Sequence, residues 1–446
     1  MSVHTLSRRD ALKLGLLGTL GSAAALGTPA SAATPAEAKS GANGKIVIIG
    51  AGSAGLAVAA RLNRQLSHPD ITIVDATTIH HYQPAYTLIA AGVKEEEYPL
   101  EPNADYIPRG VKWVQEMVQS VDPDANTLTT HQGNTITYDY LIVAPGVKLD
   151  YHKIEGLTPE VLEADNGIDT IYTLEGSVRS WDSLQKMAEM AKTQKVTALF
   201  VEPATGMKCA GATKKILMLS EDYLRRAGVR ENVDLRLMTP AGRLFGVDTY
   251  NSVFEEIFTT REINHEHNIT LQSVDAEAKT ARFVHEDGTH FDRAFDFIQI
   301  TPPQSTPEFL AQSPLAAHNT FMKVDQYTLQ SEDYPNIFGL GDCVNTPFGK
   351  TGASIRKMYP TVAENLIAQM EGRPLQAKYD GYTACPLLTR YHNAIMVEFG
   401  YRQPDGSDTL LPSFPLNPTK ERWAFWLLKV IALKPMYYKG MLRGYA

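Results

Sequence analysis

The sequence has few cysteines, no strong excess of charge and no second copy of its one glycine-rich loop. Its three cysteines permit one disulfide and leave one thiol over. The net charge is only −8, and no basic stripe is interleaved with aromatic residues, so we expect no nucleic-acid partner. We also predict no metal site. The hydrophobic content of 43% is enough for two or three domains with sizeable cores.

The N-terminus has the pattern of an export signal. Arg8 and Arg9 are followed by an apolar run over residues 14–26 and by small residues at 30–32. A spanning helix needs roughly 20 apolar residues, so this run is too short to cross a bilayer. The arginine pair is typical of a twin-arginine signal over 1–32, which predicts export of a folded protein to the periplasmic side. An ordinary secretory signal and a retained anchor are the alternatives.

A nucleotide-binding unit is predicted directly after this leader. Residues 45–49 form a continuous apolar strand, and Gly50, Gly52 and Gly55 follow in G-x-G-x-x-G spacing at the start of a helix. Gly50 permits the tight turn, Gly52 lets the backbone approach a pyrophosphate, and Gly55 lets the helix pack closely on the strand. Asp75, twenty residues later, ends the next strand and is placed to bind a ribose hydroxyl.

The second unit keeps the alternation of strands and helices but lacks the glycines. Strands are predicted at 196–201, 233–238 and 295–300, with a helix at 214–227. The turn after the first of them, residues 202–212, contains Cys209 and cannot be read as G-x-G-x-x-G. We therefore expect no direct use of NADH or NADPH, and a redox-capable thiol stands where a nicotinamide nucleotide would bind.

Two later segments decide which nucleotide the first unit binds. Residues 138–146, ending in Pro145 and Gly146, and residues 336–342, ending in Gly341 and Asp342, resemble the returning segments of two-dinucleotide-binding-domain flavoproteins. In that superfamily the acid that corresponds to Asp342 binds the ribityl or pyrophosphate part of FAD. The resemblance implies FAD as the cofactor, in a domain that is interrupted by the second unit.

More specific motifs resemble the sulfide:quinone oxidoreductase family, in the branch that includes the mitochondrial enzyme. They are Cys209-Ala-Gly-Ala with Lys214-Lys215-Ile216, Phe245-Gly-Val, Gly341-Asp-Cys343 with Lys350-Thr351, residues 379–387 around Cys385, Tyr82-Gln-Pro, and the terminal Met441-Leu-Arg-Gly-Tyr445. The resemblance spans nearly the whole chain after the leader. It implies oxidation of sulfide to sulfane sulfur or polysulfide, with electrons passed through FAD to a membrane quinone.

The resemblance also implies the roles of individual residues. The family's cysteines that match Cys209 and Cys385 face each other beside the flavin and form the redox-active pair. The counterpart of Lys350 lies near the flavin, where its charge stabilises the reduced ring. No cysteine precedes Cys209, so we expect FAD to bind non-covalently, and Cys343 is interpreted as a small buried thiol. The predicted cofactor-binding residues are Gly50, Gly52, Ser53, Gly55, Asp75, Pro145, Gly146, Gly341, Asp342 and Lys350.

The C-terminal region is predicted to lie on a membrane surface. Residues 419–433 place Trp423, Trp426, Leu427, Val430 and Ile431 on one helical face, with Lys420, Arg422, Lys429 and Lys434 as headgroup contacts and Pro435 breaking the helix. A helix that covers the protein's own core or an oligomer interface is the alternative, and homo-oligomer formation is left open.

The predicted fold class is α/β, with two Rossmann-like doubly wound domains and this C-terminal region. The predicted segments are the signal (1–32), a linker (33–43), the first part of the FAD-binding domain (44–155), the inserted second domain (156–300), the second part of the FAD-binding domain (301–375) and the C-terminal region (376–446). The alternative function is the flavoprotein subunit of a flavocytochrome c sulfide dehydrogenase, which passes electrons to a haem subunit instead of a quinone.

Overall fold

The computed structural model of this chain describes residues 39–318 and 320–445. The predicted export signal and most of the predicted linker lie outside the described residues.

A five-stranded parallel sheet forms the centre of the first unit. Its strands, in spatial order, are Ile337–Gly339, Tyr140–Val143, Lys45–Ile49, Asp70–Val74 and Lys112–Val114. The strands are continuous apolar runs because both faces are covered by other elements, among them the helices Ser53–Gln65 and Gly352–Met370. The outermost strand in this order, Ile337–Gly339, comes from the distant second part of the predicted FAD-binding domain. The sheet is complete only when the two parts of the chain meet.

A second five-stranded parallel sheet lies in the inserted part of the chain. Its order is Ile168–Asp169, Phe297–Ile300, Val196–Val201, Val233–Met238 and Asn264–Glu266. The helices Leu174–Met190, Ala212–Arg226 and Asp248–Thr260 belong to this unit. The two parallel sheets confirm the α/β class and its two Rossmann-like units, while the predicted domain boundaries remain proposals.

Smaller elements complete the fold. Antiparallel sheets are formed by Val118–Asp122, Thr127–Thr130 and Thr135–Thr137; by Ile269–Asp275, Thr280–His285 and His290–Ala294; and by Thr383–Arg390, Asn393–Gly400 and Thr409–Leu410. Two-stranded pairs join Ile79–His81 to Leu100–Pro102 and Lys148–Leu149 to Gln304–Ser305, and short helices span Tyr86–Ile89, Pro159–Glu163 and Glu308–Ala311.

The C-terminal helix differs from its prediction. It begins at Trp423, passes through a π-helical turn at Leu428–Ala432 and continues as an α-helix over Leu433–Lys439. Pro435 does not break it, because it lies in the first turn after the π-helical segment, where a missing N–H costs little. None of the helices in the described part of the chain combines the length and the apolar character needed to cross a lipid bilayer.

This helix also packs on both hydrophobic cores. Phe425 and Trp426 are buried in the core of the second unit, and Tyr437 and Tyr438 are buried in the core of the first. Much of the predicted membrane face is therefore internal, which favours the alternative that the helix covers the protein's own core. Lys429 is buried as well, so its expected contact with lipid headgroups is wrong.

Candidate functional site

One large cavity brings the predicted site residues together. Its volume is about 980 Å³, at the upper end of the range for small-molecule sites. It is lined by the turns that carry Gly50, Gly146 and Gly341, by the two cysteines and by the C-terminal helix. Of the predicted residues, the walls include Gly50, Gly52, Ser53, Asp75, Pro145, Gly146, Gly341, Asp342, Lys350, Cys209 and Cys385. Gly55 lies one helical turn behind this surface.

The glycine-rich loop has the geometry that close nucleotide approach requires. Gly50 has φ +103°, and a Cβ there would lie 2.4 Å from the carbonyl oxygen of Ala144. A Cβ on Gly55 would lie 1.8 Å from the carbonyl oxygen of Gly50, so only glycine lets the helix reach the strand. A Cβ on Gly52 would meet no atom within 4 Å, which leaves its backbone open to the cavity. The N-terminus of helix Ser53–Gln65 therefore offers its free N–H groups to an anion.

The two predicted acids of the cofactor site differ in their partners. Asp75 accepts hydrogen bonds from the backbone N–H of Ala51 (2.6 Å) and of Thr77 (2.7 Å), so it holds the glycine loop in shape. Asp342 Oδ1 is buried, and no group of the described residues donates a hydrogen bond to it. Burial raises the pKa of Asp342, against the charges of Lys208 and Lys350. A buried acceptor at the cavity wall fits a hydroxyl-bearing cofactor chain, and this wall therefore fits FAD.

Ser53 and Lys350 are tied to neighbouring residues. The hydroxyl of Ser53 lies 2.5 Å from the hydroxyl of Tyr437, a residue of the C-terminal helix. The same Tyr437 hydroxyl lies 2.6 Å from His80 Nε2. The ammonium of Lys350 donates to the carbonyl oxygens of Asp342 (2.7 Å) and Val344 (2.9 Å). Lys350 is thus fixed next to the Asp342 turn, with its charge on the cavity wall.

The two cysteines meet although 176 residues separate them. Cys209 lies in the turn that follows strand Val196–Val201, at φ +52°, and its N–H donates to the carbonyl oxygen of Lys350 (2.8 Å). Cys385 lies on strand Thr383–Arg390, which packs against the helix after that turn. Both are free thiols, half-buried at the wall of the cavity.

A buried lysine that the sequence did not single out as a site residue lies against this pair. Lys215 is 2% exposed, and its Nζ is 3.0 Å from Cys209 Sγ and 3.6 Å from Cys385 Sγ. The pKa of Cys209 is well below its usual value, because the thiol of Cys385 donates to it and the Lys215 ammonium adds to the effect. The pKa of Cys385 is raised by the same hydrogen bond and by burial. These two shifts, and the shorter distance to the Lys215 ammonium, favour Cys209 as the thiolate of the pair.

A second buried lysine comes from the C-terminal helix. Burial and the nearby charge of Lys215 lower the pKa of Lys429 to about 8. A signal for Lys215 existed in the sequence, since it shares the apolar stripe of its helix with Met218 and Leu219 at i+3 and i+4. Lys429 had no comparable signal, because its spacing suited a headgroup contact equally well.

Three other residues near the cysteines are occupied elsewhere. Glu202 forms a buried ion pair with Lys214 (2.5 Å) and accepts a hydrogen bond from Thr239. The ammonium of Lys208 donates to Gln83 Oε1 (2.7 Å). Cys343 is fully buried, and burial raises its pKa to about 12, as expected for a structural thiol.

Several known proteins resemble this chain over most of its length. Residues 44–370 match the family model described as pyridine nucleotide-disulphide oxidoreductase. The chain is 36% identical over 404 residues to the mitochondrial sulfide:quinone oxidoreductase of Mus musculus, covering 90% of this chain and 87% of that one. It is 35% identical over 422 residues to the mitochondrial sulfide:quinone oxidoreductase of Schizosaccharomyces pombe, covering 90% of each.

The fold resembles a solved structure of the same name. The sulfide:quinone oxidoreductase of Aquifex aeolicus superposes with a TM-score of 0.75 over 90% of this chain and 92% of that one, at 23% identity. The chain belongs to the sulfide:quinone oxidoreductase family and is an FAD-dependent oxidoreductase.

Proposed function

We propose that this enzyme oxidises sulfide through the pair Cys209 and Cys385 and passes the electrons through FAD to a membrane quinone. The relatives carry the names of sulfide and quinone as substrates. The observation that supports the proposal most is the pair of free thiols beside Lys215, whose Nζ lies 3.0 Å from Cys209 Sγ and 3.6 Å from Cys385 Sγ, on the wall that also carries the glycine loop. FAD supplies a two-electron acceptor beside this pair, and we propose that it binds non-covalently.

The cysteine chemistry follows from thiol and disulfide exchange. Hydrosulfide attacks the oxidised Cys209–Cys385 disulfide, forms a new S–S bond to one sulfur and releases the other as a thiolate. A nucleophilic acceptor then takes the outer sulfur of the resulting persulfide and leaves a second thiolate. Two electrons leave the cysteines when they rejoin as a disulfide, and bound FAD would accept them. The net change is one sulfide oxidised by two electrons and one sulfur bonded to the acceptor.

The buried lysines stabilise the anions of this sequence. Each of the first two steps leaves negative charge on a sulfur in a site of low polarity, where an uncompensated charge is costly. Lys215 lies within hydrogen-bond distance of Cys209; burial lowers its pKa, but the charges and hydrogen bonds of Cys209 and Cys385 together raise that pKa above its usual value. Its charge makes the leaving thiolate a weaker base and a better leaving group.

The apolar part of the cavity wall suits a quinone. Pro386, Met396, Leu428, Leu433 and Met436 line it with apolar surface. Met436 is 57% exposed, and Ile431, one turn away on the same helix, is 52% exposed. We propose that these exposed side chains touch the membrane surface and that the quinone enters beside them. A peripheral position on the periplasmic face, reached by twin-arginine export, completes the proposal.

The alternative acceptor is a haem subunit, as in a flavocytochrome c sulfide dehydrogenase. The apolar side chains at the cavity mouth favour a quinone, because electron transfer to a haem subunit needs no apolar substrate channel.

The experiment is anaerobic mixing of the oxidised protein with sulfide, and separately with NADH, while the flavin absorbance is followed. Bleaching by sulfide and reoxidation by a short-chain quinone support the proposal. Reoxidation only by cytochrome c supports the alternative. Bleaching by NADH contradicts the expectation that the enzyme does not use NADH directly.

The role of the cysteine pair has its own test. Cys209→Ser and Cys385→Ser are expected to keep the FAD spectrum and to lose flavin reduction by sulfide. Cys343→Ser is the matched control, because this third cysteine is buried away from the pair, and its flavin should still be reduced. Normal turnover in both variants of the pair would refute the mechanism.

A further inference from the structure

A buried carboxylate lies in the part of the cavity proposed for the quinone. Glu398 is on strand Asn393–Gly400, is 2% exposed and lines the cavity. Met396, two residues before it, lines the same cavity, as residues i and i+2 of a strand share a face. Glutamate is rarely buried in an apolar surface unless its charge is compensated or its proton is used.

Three hydrogen bonds hold this carboxylate. Tyr382 Oη donates to Oε1 at 2.8 Å, the Ser413 hydroxyl donates to the same oxygen, and the Ser413 N–H donates to Oε2 at 2.8 Å. The backbone around it is fixed too, since the Glu398 N–H donates to the hydroxyl of Tyr250 at 3.0 Å. The position of the carboxylate is therefore determined from both ends.

The hydrogen-bonded group connects the cavity with solvent. Ser413 is exposed, Tyr382 is 6% exposed and Glu398 is 2% exposed, and all three line the cavity. The hydroxyls of Tyr382 and Ser413 also lie 3.1 Å apart, so the three side chains form one hydrogen-bonded chain in which Ser413 is the exposed member. Such a chain of short hydrogen bonds is the arrangement along which protons move.

Charged groups surround the inner end of this chain. Arg356 and Lys357, from helix Gly352–Met370, lie 5.6 and 5.7 Å from the centre of the Tyr382 ring. The Tyr382 N–H donates to Asp380 at 3.0 Å. Burial raises the pKa of Tyr382, and the charge of Arg356 opposes this rise.

We propose that Glu398 carries protons from the exposed Ser413 to the quinone, with Tyr382 as its partner at the cavity. This inference rests on the proposed function. Reduction of a quinone to a quinol takes up two electrons and two protons. The reduced flavin supplies the electrons, and solvent supplies protons that pass through Ser413 and Glu398 to the quinone oxygens.

The test separates the two halves of the reaction. The enzyme is reduced anaerobically, once with sulfide and once with dithionite, and is then mixed with a short-chain quinone in H₂O and in D₂O. Glu398→Gln is expected to be reduced by sulfide at the wild-type rate but to be reoxidised about 10²-fold more slowly, within the range for loss of a proton-transfer group. The change should fall on the rate at saturating quinone, with little effect on the quinone KM, and with an altered solvent isotope effect.

Two further variants keep the inference falsifiable. Ser413→Ala leaves the carboxylate in place and is expected to slow reoxidation less than Glu398→Gln. Tyr379→Phe is the matched control, since it removes a buried hydroxyl that donates to the Tyr382 carbonyl at 2.8 Å without changing the chain; its reoxidation should be unchanged.

The outcomes distinguish the relay from the proposed function. If the dithionite-reduced wild type passes no electrons to the quinone, the proposed function fails and the relay fails with it. If the wild type is reoxidised and Glu398→Gln and Ser413→Ala follow it at the same rate, the relay alone is overturned.

Discussion

Removal of Lys215 should raise the pKa of Cys209 by a measurable amount. The Lys215 ammonium lies 3.0 Å from Cys209 Sγ, and both groups are inside the cavity wall. A hydrogen bond to a charged group contributes about 1.5–3 kcal/mol. At about 1.4 kcal/mol for each pKa unit, the substitution Lys215→Met should raise the pKa of Cys209 by about 1–2 units.

The assay is the rate of Cys209 alkylation in the reduced protein as a function of pH. Only the thiolate reacts, so the midpoint of the pH profile reports the pKa. Below that midpoint, Lys215→Met should be alkylated about 10–100-fold more slowly than the wild type, by the same conversion. Flavin reduction by sulfide should shift to higher pH with it.

Lys208→Met is the matched control. Lys208 precedes Cys209 in the chain and interacts with its charge, but its ammonium donates to Gln83 and not to the sulfur, so this variant should shift the profile much less than Lys215→Met. Methionine has a similar length and suits a buried site, and folding is checked by FAD content. An identical alkylation profile in Lys215→Met and the wild type would refute the inference that Lys215 lowers the pKa of Cys209.

Three further predictions follow from the surroundings of the site. Lys429→Met should stabilise the protein near neutral pH by up to about 3 kcal/mol, since the native pKa of about 8 lies well below the usual value of 10.5 and charging the buried lysine costs free energy. Between pH 8 and 10.5 the unfolded state binds more protons than the native state, so wild-type stability should gain from this group as pH rises; denaturation curves should show that this gain is absent from the variant. Gly55→Ala should prevent stable folding, because its Cβ would lie 1.8 Å from a carbonyl oxygen, whereas Gly52→Ala should fold and bind FAD more weakly in titrations of the apoprotein. The double variant Ile431→Glu and Met436→Glu should leave flavin reduction by sulfide unchanged and should reduce sedimentation with lipid vesicles, because both side chains are more than half exposed.

Each of these has an outcome that contradicts it. If the difference in stability between Lys429→Met and the wild type stayed constant from pH 8 to pH 10.5, Lys429 would not be neutralised near pH 8. Equal FAD affinity in Gly52→Ala and the wild type would place the pyrophosphate elsewhere. Met117→Glu, at a methionine that is 54% exposed, is the control for the vesicle experiment, and equal loss of binding in this variant would argue against a specific membrane face.

Truncation before Thr419 is unsuitable for testing membrane attachment. It would remove Phe425 and Trp426 from one core and Tyr437 from the other, together with Lys429 beside the cysteines. Loss of large buried aromatic side chains typically costs about 3–5 kcal/mol each. Substitution of exposed side chains avoids this loss.

The sequence by itself determined the local features of this protein. The strand Lys45–Ile49 and the strand Val233–Met238 have the predicted bounds, because a continuous apolar run flanked by turn residues specifies a buried strand. The glycine spacing determined the loop, since Gly50 and Gly55 occupy positions where a Cβ would collide with backbone. The missing second loop was equally readable, because it depends on residues that are adjacent in the chain.

The tertiary structure decided what depends on contacts between distant segments. Periodicity could not tell whether the apolar face of the C-terminal helix contacts lipid or protein, since both environments select the same side chains. In the folded chain this helix packs on two cores, which buries Phe425 and Trp426 and places Lys429 near the cysteines. The meeting of Cys209 with Cys385 was implied only by family resemblance, and the position of Lys215 between them was not implied at all. The charge on a sulfur depends on groups within a few ångströms in space, and sequence spacing does not fix those distances.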